Sequence, residues 1–214
     1  MMLGARTAAW AKSGSPTPAY GGLCFTAETA NSSVQLTAVE PAPAVTLVKS
    51  FDGINWEAYA VGEVIELPSI GDFVYLAAGE GGNETFGSSS SNYHQFVING
   101  LVAASGDITS IRRFDLVQTT LANNCYSSMF NGCTGLTSAP ELPATTLATY
   151  CYQYMFQRCA KLSLIRVHFT AWSTKTSVWV GNVAPTGTFY KPSALPEEYG
   201  TSKIPDGWTV VNID

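Results

Sequence analysis

Four of the five cysteines recur in one pattern, and thiols at fixed spacing admit three chemistries: a metal centre, a disulfide or a packed interior. Cys125 and Cys133 stand eight residues apart, as do Cys151 and Cys159. Zinc sites favour ligands about two to four residues apart with histidine close by, which this spacing does not offer, so no metal is expected. A bridge between equivalent cysteines of neighbouring repeats needs Cα atoms within roughly 6.8 Å, closer than the about 8 to 10 Å between stacked helices. The four are therefore expected to be buried free thiols that pack as small hydrophobes. Cys24 stands alone.

Acid–base chemistry finds little to work with. His94, in SSNYHQF, and His168, in RVHFTAW, have no Gly-Xaa-Ser-Xaa-Gly elbow or His-Glu-Xaa-Xaa-His helix beside them. Asp52, Glu57, Glu63, Glu66 and Asp72 could supply a glycosidase pair, but they fall in alternating strands and turns where solvated positions are commoner. The glycine-rich run GEGGNETFG lacks the lysine and following helix of a phosphate loop. No enzyme and no cofactor are expected.

Aromatic side chains are the stronger candidates. Trp56, Tyr59, Tyr93, Trp172 and Trp179 could offer flat faces to sugar rings. Folding has first claim on most of them: Trp56 follows a turn, and Trp179 alternates with Val178 and Val180 in an expected strand. Tyr93 and Trp172 remain as candidate surface-binding aromatics for a host glycan.

The elements that must position these residues follow from composition and pattern. Hydrophobic residues make up 46% and charged residues 13% of the 214, against roughly 25% charged in an ordinary soluble domain. The surface must then be largely Ser, Thr, Asn, Gln and Gly, which suits a protein packed into a larger assembly or one that works outside the cytosol. A net charge of -5 with scattered Lys and Arg argues against nucleic acid as a partner. No apolar run reaches the roughly 18 to 20 residues that span a bilayer, so no membrane partner is expected either, and the opening residues lack the apolar core of a secretory signal.

Residues 1–21, with Trp10 and Tyr20 as their only aromatics, have no core of their own and form an expected extended arm, either docked on another protein or folded back on its own domain. Residues 22–111 predict an antiparallel β-sandwich. Its strands are expected at Val34 to Val39, Val45 to Lys49, Val64 to Leu67, Phe73 to Ala77, Gln95 to Ile98 and Asp107 to Ile111. Asp52-Gly53 predicts a tight turn, and the run from Gly79 to Asn83 with Ser88 to Ser91 a mobile loop.

After residue 111 the chain repeats itself. Cys125, Tyr126, Met129, Phe130, Cys133 and Leu136 recur 26 residues later as Cys151, Tyr152, Met155, Phe156, Cys159 and Leu162. A fixed period of roughly 20 to 29 residues carrying Leu, Phe and Cys marks a leucine-rich solenoid. Within each repeat these residues fall on one face of an expected two-turn helix, the core face. One repeat cannot bury its own apolar face. Residues 112–185 are thus the repeats, closed by the sandwich on one side and by a β-rich cap, 186–214, with a final strand at Trp208 to Asn212.

The run CYSSMFNGCTGLTSAPELPATTLATYCYQYMFQRCAKL closely resembles BspA-like leucine-rich repeats of gut Bacteroidales, their phages and prophages. FTAETANSSVQL, SFDGINWEAYAVGEVIELPSIGDFVYLAA and GDITSI look like the β-rich domain that precedes such repeats, and GTFYKP and IPDGWTVVNID like their closing segment. The opening ARTAAWAKSG is similar to the start of several phage and prophage structural proteins. What the resemblance implies is attachment. It points to a bacteriophage virion protein (capsid decoration, head fibre, tail fibre or tip) at the virion surface, or to a bacterial cell-surface adhesin binding glycans or matrix. Apart from the resemblance, self-association is expected because most assemblies repeat one interface, and the arm is expected to dock on other virion proteins. Only two clear repeats are present, where longer relatives stack many.

Overall fold

The computed structural model describes residues 22–39, 41–115 and 117–213; the expectations placed on Trp10, Tyr20 and the arm 1–21 fall outside them. The described chain is mainly β. In order its strands are β1 (Leu23–Ala27), β2 (Ser32–Val39), β3 (Leu47–Ser50), β4 (Glu57–Tyr59), β5 (Val64–Leu67) and β6 (Phe73–Ala78), followed by β7 (Tyr93–Asn99), β8 (Val102–Ser105), β9 (Leu136–Ser138), β10 (Leu164–Arg166), β11 (Thr188–Lys191) and β12 (Thr209–Asn212). They make a large mixed sheet, in the order β12-β11-β10-β9-β8-β1-β6-β3-β4, and a smaller one, β5-β2-β7.

From β8 to β4 the large sheet is antiparallel, with Cys24 paired to Tyr75 on one side and to Ser105 on the other. The smaller sheet faces it. Period-two alternation turns Val34, Leu36, Ile65, Leu67, Phe96 and Ile98 inward, and Phe25 of β1 meets Phe96 of β7 at 4.9 Å between ring centroids. The sixth expected strand is not one. The Asp107 carboxylate accepts the Thr109 N–H and caps a single 3-10 turn, Ile108–Ile111, whose four residues are all buried.

Beyond β8 the sheet continues without a break, but its pairing becomes parallel through β9, β10, β11 and β12. Each new strand is reached through a turn-rich return segment. The short helices expected at the repeats are absent from the described residues, and successive tight turns take their place. Asn124, Ser128 and Gly132 in the first tier, and Tyr150, Tyr154 and Arg158 in the second, have φ between 54° and 76°. A left-handed residue at every fourth position breaks the i−4 ladder of a helix. One set of amides closes turns on the residue three before, as Cys125 does on Ala122 and Met129 on Tyr126. The other set points at the next tier: Asn124, Tyr126, Ser128, Phe130 and Gly132 donate to the carbonyls of Thr149, Cys151, Gln153, Met155 and Gln157 at 2.8 to 3.0 Å. Backbone strain of this kind costs of order 1 kcal/mol per residue and persists only where such bonds over-determine it.

The pattern runs past the recognisable repeat. Val178 and Asn182 repeat the left-handed positions of Tyr154 and Arg158 after 24 residues instead of 26. Phe156 donates to the Trp179 carbonyl and Val180 to that of Thr201. Trp179 therefore sits in a turn and not in the strand its neighbours suggested. At the near end, Phe86 and Phe96 donate to the carbonyls of Cys125 and Met129, so the antiparallel half plugs into the first tier. The approach is close: a Cβ on Gly135 would stand 1.9 Å from the Gly100 carbonyl oxygen.

Candidate binding face

The repeated residues fill the interior in columns. Phe96, Phe130 and Phe156 stack at 5.0 and 5.5 Å with Trp179 beyond at 6.1 Å. Phe86, Tyr126, Tyr152 and Trp179 follow at 6.2, 6.2 and 6.3 Å. Met129, Leu136, Met155 and Leu162 are fully buried beside them. The four repeat cysteines are buried and free. Cys133 donates its thiol hydrogen to the Phe96 carbonyl at 3.0 Å and Cys159 to that of Phe130 at 2.9 Å. Burial pushes Cys133 and Cys151 up to about 12 and Cys159 well above the ordinary thiol value, so none is a ready nucleophile.

Tyr93 opens β7 in the smaller sheet and is half-buried. Trp172 is likewise half-buried, donates its indole N–H to the Pro196 carbonyl at 2.7 Å and packs on Phe169, Trp179 and Phe189. The two lie on different elements with different neighbours and form no shared site.

His94 is buried against Phe86. His168 is brought to a place that the sequence did not reveal. Its Nε2 meets Glu141 Oε1, Arg166 Nε lies 3.5 Å from Glu141 Oε2, and the Arg166 guanidinium covers the Tyr190 ring at 4.4 Å. Asp107 pairs with Glu141 across the sheet and is fully buried. Burial raises its carboxyl to about 6, with Thr109 hydrogen bonds opposing and the Glu141 charge adding.

The other unusual feature is an exposed apolar face on the β3–β4 and β5–β6 connections. Asp52 Oδ1 accepts the N–H groups of Ile54 and Asn55 at 2.8 and 2.7 Å, and Oδ2 accepts the Asn55 amide at 2.7 Å. These bonds hold its carboxyl well below the usual carboxylate range. Gly53, at φ 73°, gives the Asp52-Gly53 turn its left-handed step, and its N–H donates to Ser50 Oγ at 2.9 Å. The turn holds Phe51 and Ile54 out at 49% and 79% exposure. Next to it, Asp72 accepts the Ser69 N–H at 2.7 Å, while Ile70 and Phe73 stand 71% and 38% exposed.

Phe51 divides two depressions. One, of about 290 Å³, is lined by Lys49, Ser50, Phe51, Asp52, Asn55, Trp56 and Glu57. The other, of about 250 Å³, includes Phe51, Glu66, Leu67, Asp72 and Phe73. The Trp56 ring at the first is fixed edge-on against Phe114 at 5.0 Å. Lys49 spans Glu63 and, at 3.5 Å, Glu57, and draws the Glu63 carboxyl downward. The face offers apolar contact ringed by carboxylate acceptors. Sequence reasoning placed these carboxylates on solvated surface and passed over Phe51, Ile54, Ile70 and Phe73; large apolar residues within two positions of a turn glycine were the available signal.

In the loop expected to be mobile, two residues are tied to the rest of the fold. Asn83 exchanges hydrogen bonds with Thr46 and donates to the Ile111 carbonyl at 2.7 Å, and Phe86 is buried. Among the described residues no helix is long and apolar enough to cross a membrane. Comparison with family models, curated proteins and solved structures finds no match to this chain.

Proposed function

We propose that the chain is a non-enzymatic structural protein of a bacteriophage virion, a capsid decoration, head fibre, tail fibre or tip, that holds a binding module outward for attachment to host or mucosal surface. In this reading the two facing sheets are an antiparallel β-sandwich. The stacked tiers are a short BspA-like leucine-rich solenoid, and the last strands its β-rich cap. The arm 1–21 docks on other virion proteins, and copies of the chain associate with one another.

The observation that supports this best is the pairing of a stiff scaffold with an exposed face. One sheet runs unbroken through both halves, and on it a stapled loop carries Phe51 and Ile54 into solvent. Binding residues on loops held by a rigid scaffold are the usual arrangement for recognition. A second reading, a bacterial surface adhesin for glycans, draws on the same place, where Phe51, Trp56 and the Asn55 amide could meet a sugar ring.

Peptide mass spectrometry of gradient-purified phage particles and of the host envelope from one culture separates the two. Enrichment with particles is expected; enrichment with the envelope would discard the virion reading.

A further inference from the structure

We propose that the Phe51-divided face docks a polypeptide segment of a partner protein that presents arginine or lysine beside aromatic or aliphatic side chains. This rests on reading the chain as a binding module, and not on where the chain resides.

Charge is the first ground. Between Lys49 and Phe73 stand five carboxylates, Asp52, Glu57, Glu63, Glu66 and Asp72, against the single Lys49: a net -4, out of -5 for all 214 residues. Lys49 does not offset this outward, because its side chain is 11% exposed and committed to Glu57 and Glu63, whereas that of Glu57 is 64% exposed. Such a face repels phosphates and attracts cations.

The exposed apolar atoms are the second ground. Ile54 and Ile70, at 79% and 71%, are the most exposed large hydrophobics of the described chain, and both are aliphatic. Sugar rings prefer aromatic faces, so two isoleucines outside the depressions extend the contact in a way a glycan would not use. Size is the third. Each depression falls just below the roughly 300 Å³ where small-molecule pockets begin, and both are open clefts. They suit two side chains of one segment lying across Phe51, with stems on the ring and cationic heads at Glu57 on one side and Glu66 or Asp72 on the other.

The test is a titration of the full chain, followed by heteronuclear NMR, with an amidated hexapeptide of alternating arginine and tryptophan. Saturable shifts confined to residues 49–57 and 64–73 are expected, and they should weaken steeply between about 0.05 and 0.5 M salt. Phe51→Ala and the pair Glu57→Gln with Glu66→Gln should each weaken binding about tenfold with the melting temperature kept. No saturable shift, shifts elsewhere, equal binding of a peptide with glutamate in place of arginine, or saturation by a neutral oligosaccharide would each overturn the proposal. So would binding seen only after Arg6→Glu and Lys12→Glu, since the occupant would then be this chain's own segment. A failed titration with a chain that still sediments with particles would leave the virion reading standing.

Discussion

The two halves of this molecule satisfy the same backbone in opposite ways. In the antiparallel half, strands find partners far along the chain: β1 pairs with β6 some fifty residues on and with β8 some eighty on. In the tiers, each donor finds its acceptor in the next repeat, from Asn124 to Thr149 and from Phe130 to Met155. Apolar side chains divide accordingly. Of the ten large hydrophobics exposed among the described residues, six lie in the antiparallel half (Phe51, Ile54, Val64, Ile70, Phe73 and Val97), although the repeats carry the longer apolar columns. The tiers use their apolar residues to stack, and the antiparallel half holds some of its own in solvent. On the proposed reading, the stacked half serves as scaffold and the antiparallel half carries recognition.

The two halves depend on each other most where they meet. Phe130 is fully buried and lies between Phe96 on one side and Phe156 on the other, with Phe25 at 6.2 Å. Phe130→Ala removes the ring that joins the column to the smaller sheet and should cost about 3 to 5 kcal/mol in urea denaturation. If the halves are one cooperative unit, both lose stability together in a single transition. Two separated transitions would show that the tiers and the antiparallel half unfold independently.

A smaller, pH-dependent effect is expected at the joint. Burial holds the Asp107 carboxyl at about 6, above its ordinary 3.8, so the folded chain binds that proton more tightly than the unfolded chain. The stability this proton contributes is full below about 3.8 and is lost as pH rises through about 6, a difference of about 3 kcal/mol. Asp107→Asn keeps an acceptor for the Thr109 N–H without the charge. It should exceed the parent in urea midpoint at pH 7.5, with the advantage gone by pH 4. An unchanged difference across that range would show that Asp107 does not titrate there. Asp52, Glu63 and Asp115 act in the other direction, since their lowered carboxyls lose their contribution only as pH falls through still lower values.

Within the tiers, the Tyr152 hydroxyl is buried and has no hydrogen-bond partner among the described residues. A buried hydroxyl without a partner destabilises, so Tyr152→Phe should raise stability by about 1 kcal/mol. A loss of similar size would show that the hydroxyl is hydrogen-bonded in solution.

How much of this the chain announces depends on the distance over which each feature is decided. The 26-residue period exposed the columns, because Cys, Met, Phe and Leu occupy the same inward places in both tiers. It did not expose the turns: an inward residue every fourth position is also the mark of a helix, and the left-handed step falls on Asn, Ser and Gly in one tier but on Tyr, Tyr and Arg in the next. The third tier was hidden by a change of spacing to 24 and by Trp179 standing where the first two carry methionine. Strands β1 and β8 were missed because LCFTA and VAAS have little alternation of their own; their pairing is settled by residues more than thirty positions away. Asp107 read as the start of a strand, and only its carboxylate on Thr109 makes it a cap. At the candidate face the turn was legible in Asp52-Gly53, but the exposure of Phe51 was not, since alternation cannot tell an outward apolar residue from an inward one at a strand end.

The smallest effect expected is the one that separates recognition from folding most directly. Phe51 is 49% exposed, and its ring contacts Lys49 at 5.9 Å over its face. Phe51→Ala removes no buried column and leaves the Asp52 hydrogen bonds in place, so stability should change by no more than about 0.5 kcal/mol. The same substitution should abolish most of the face's binding. A side chain whose loss is silent in urea denaturation and loud in a binding titration is held out for a partner. If Phe51→Ala instead costs as much as a core substitution, the ring is part of the fold, and the exposed hydrophobics of this half need another explanation.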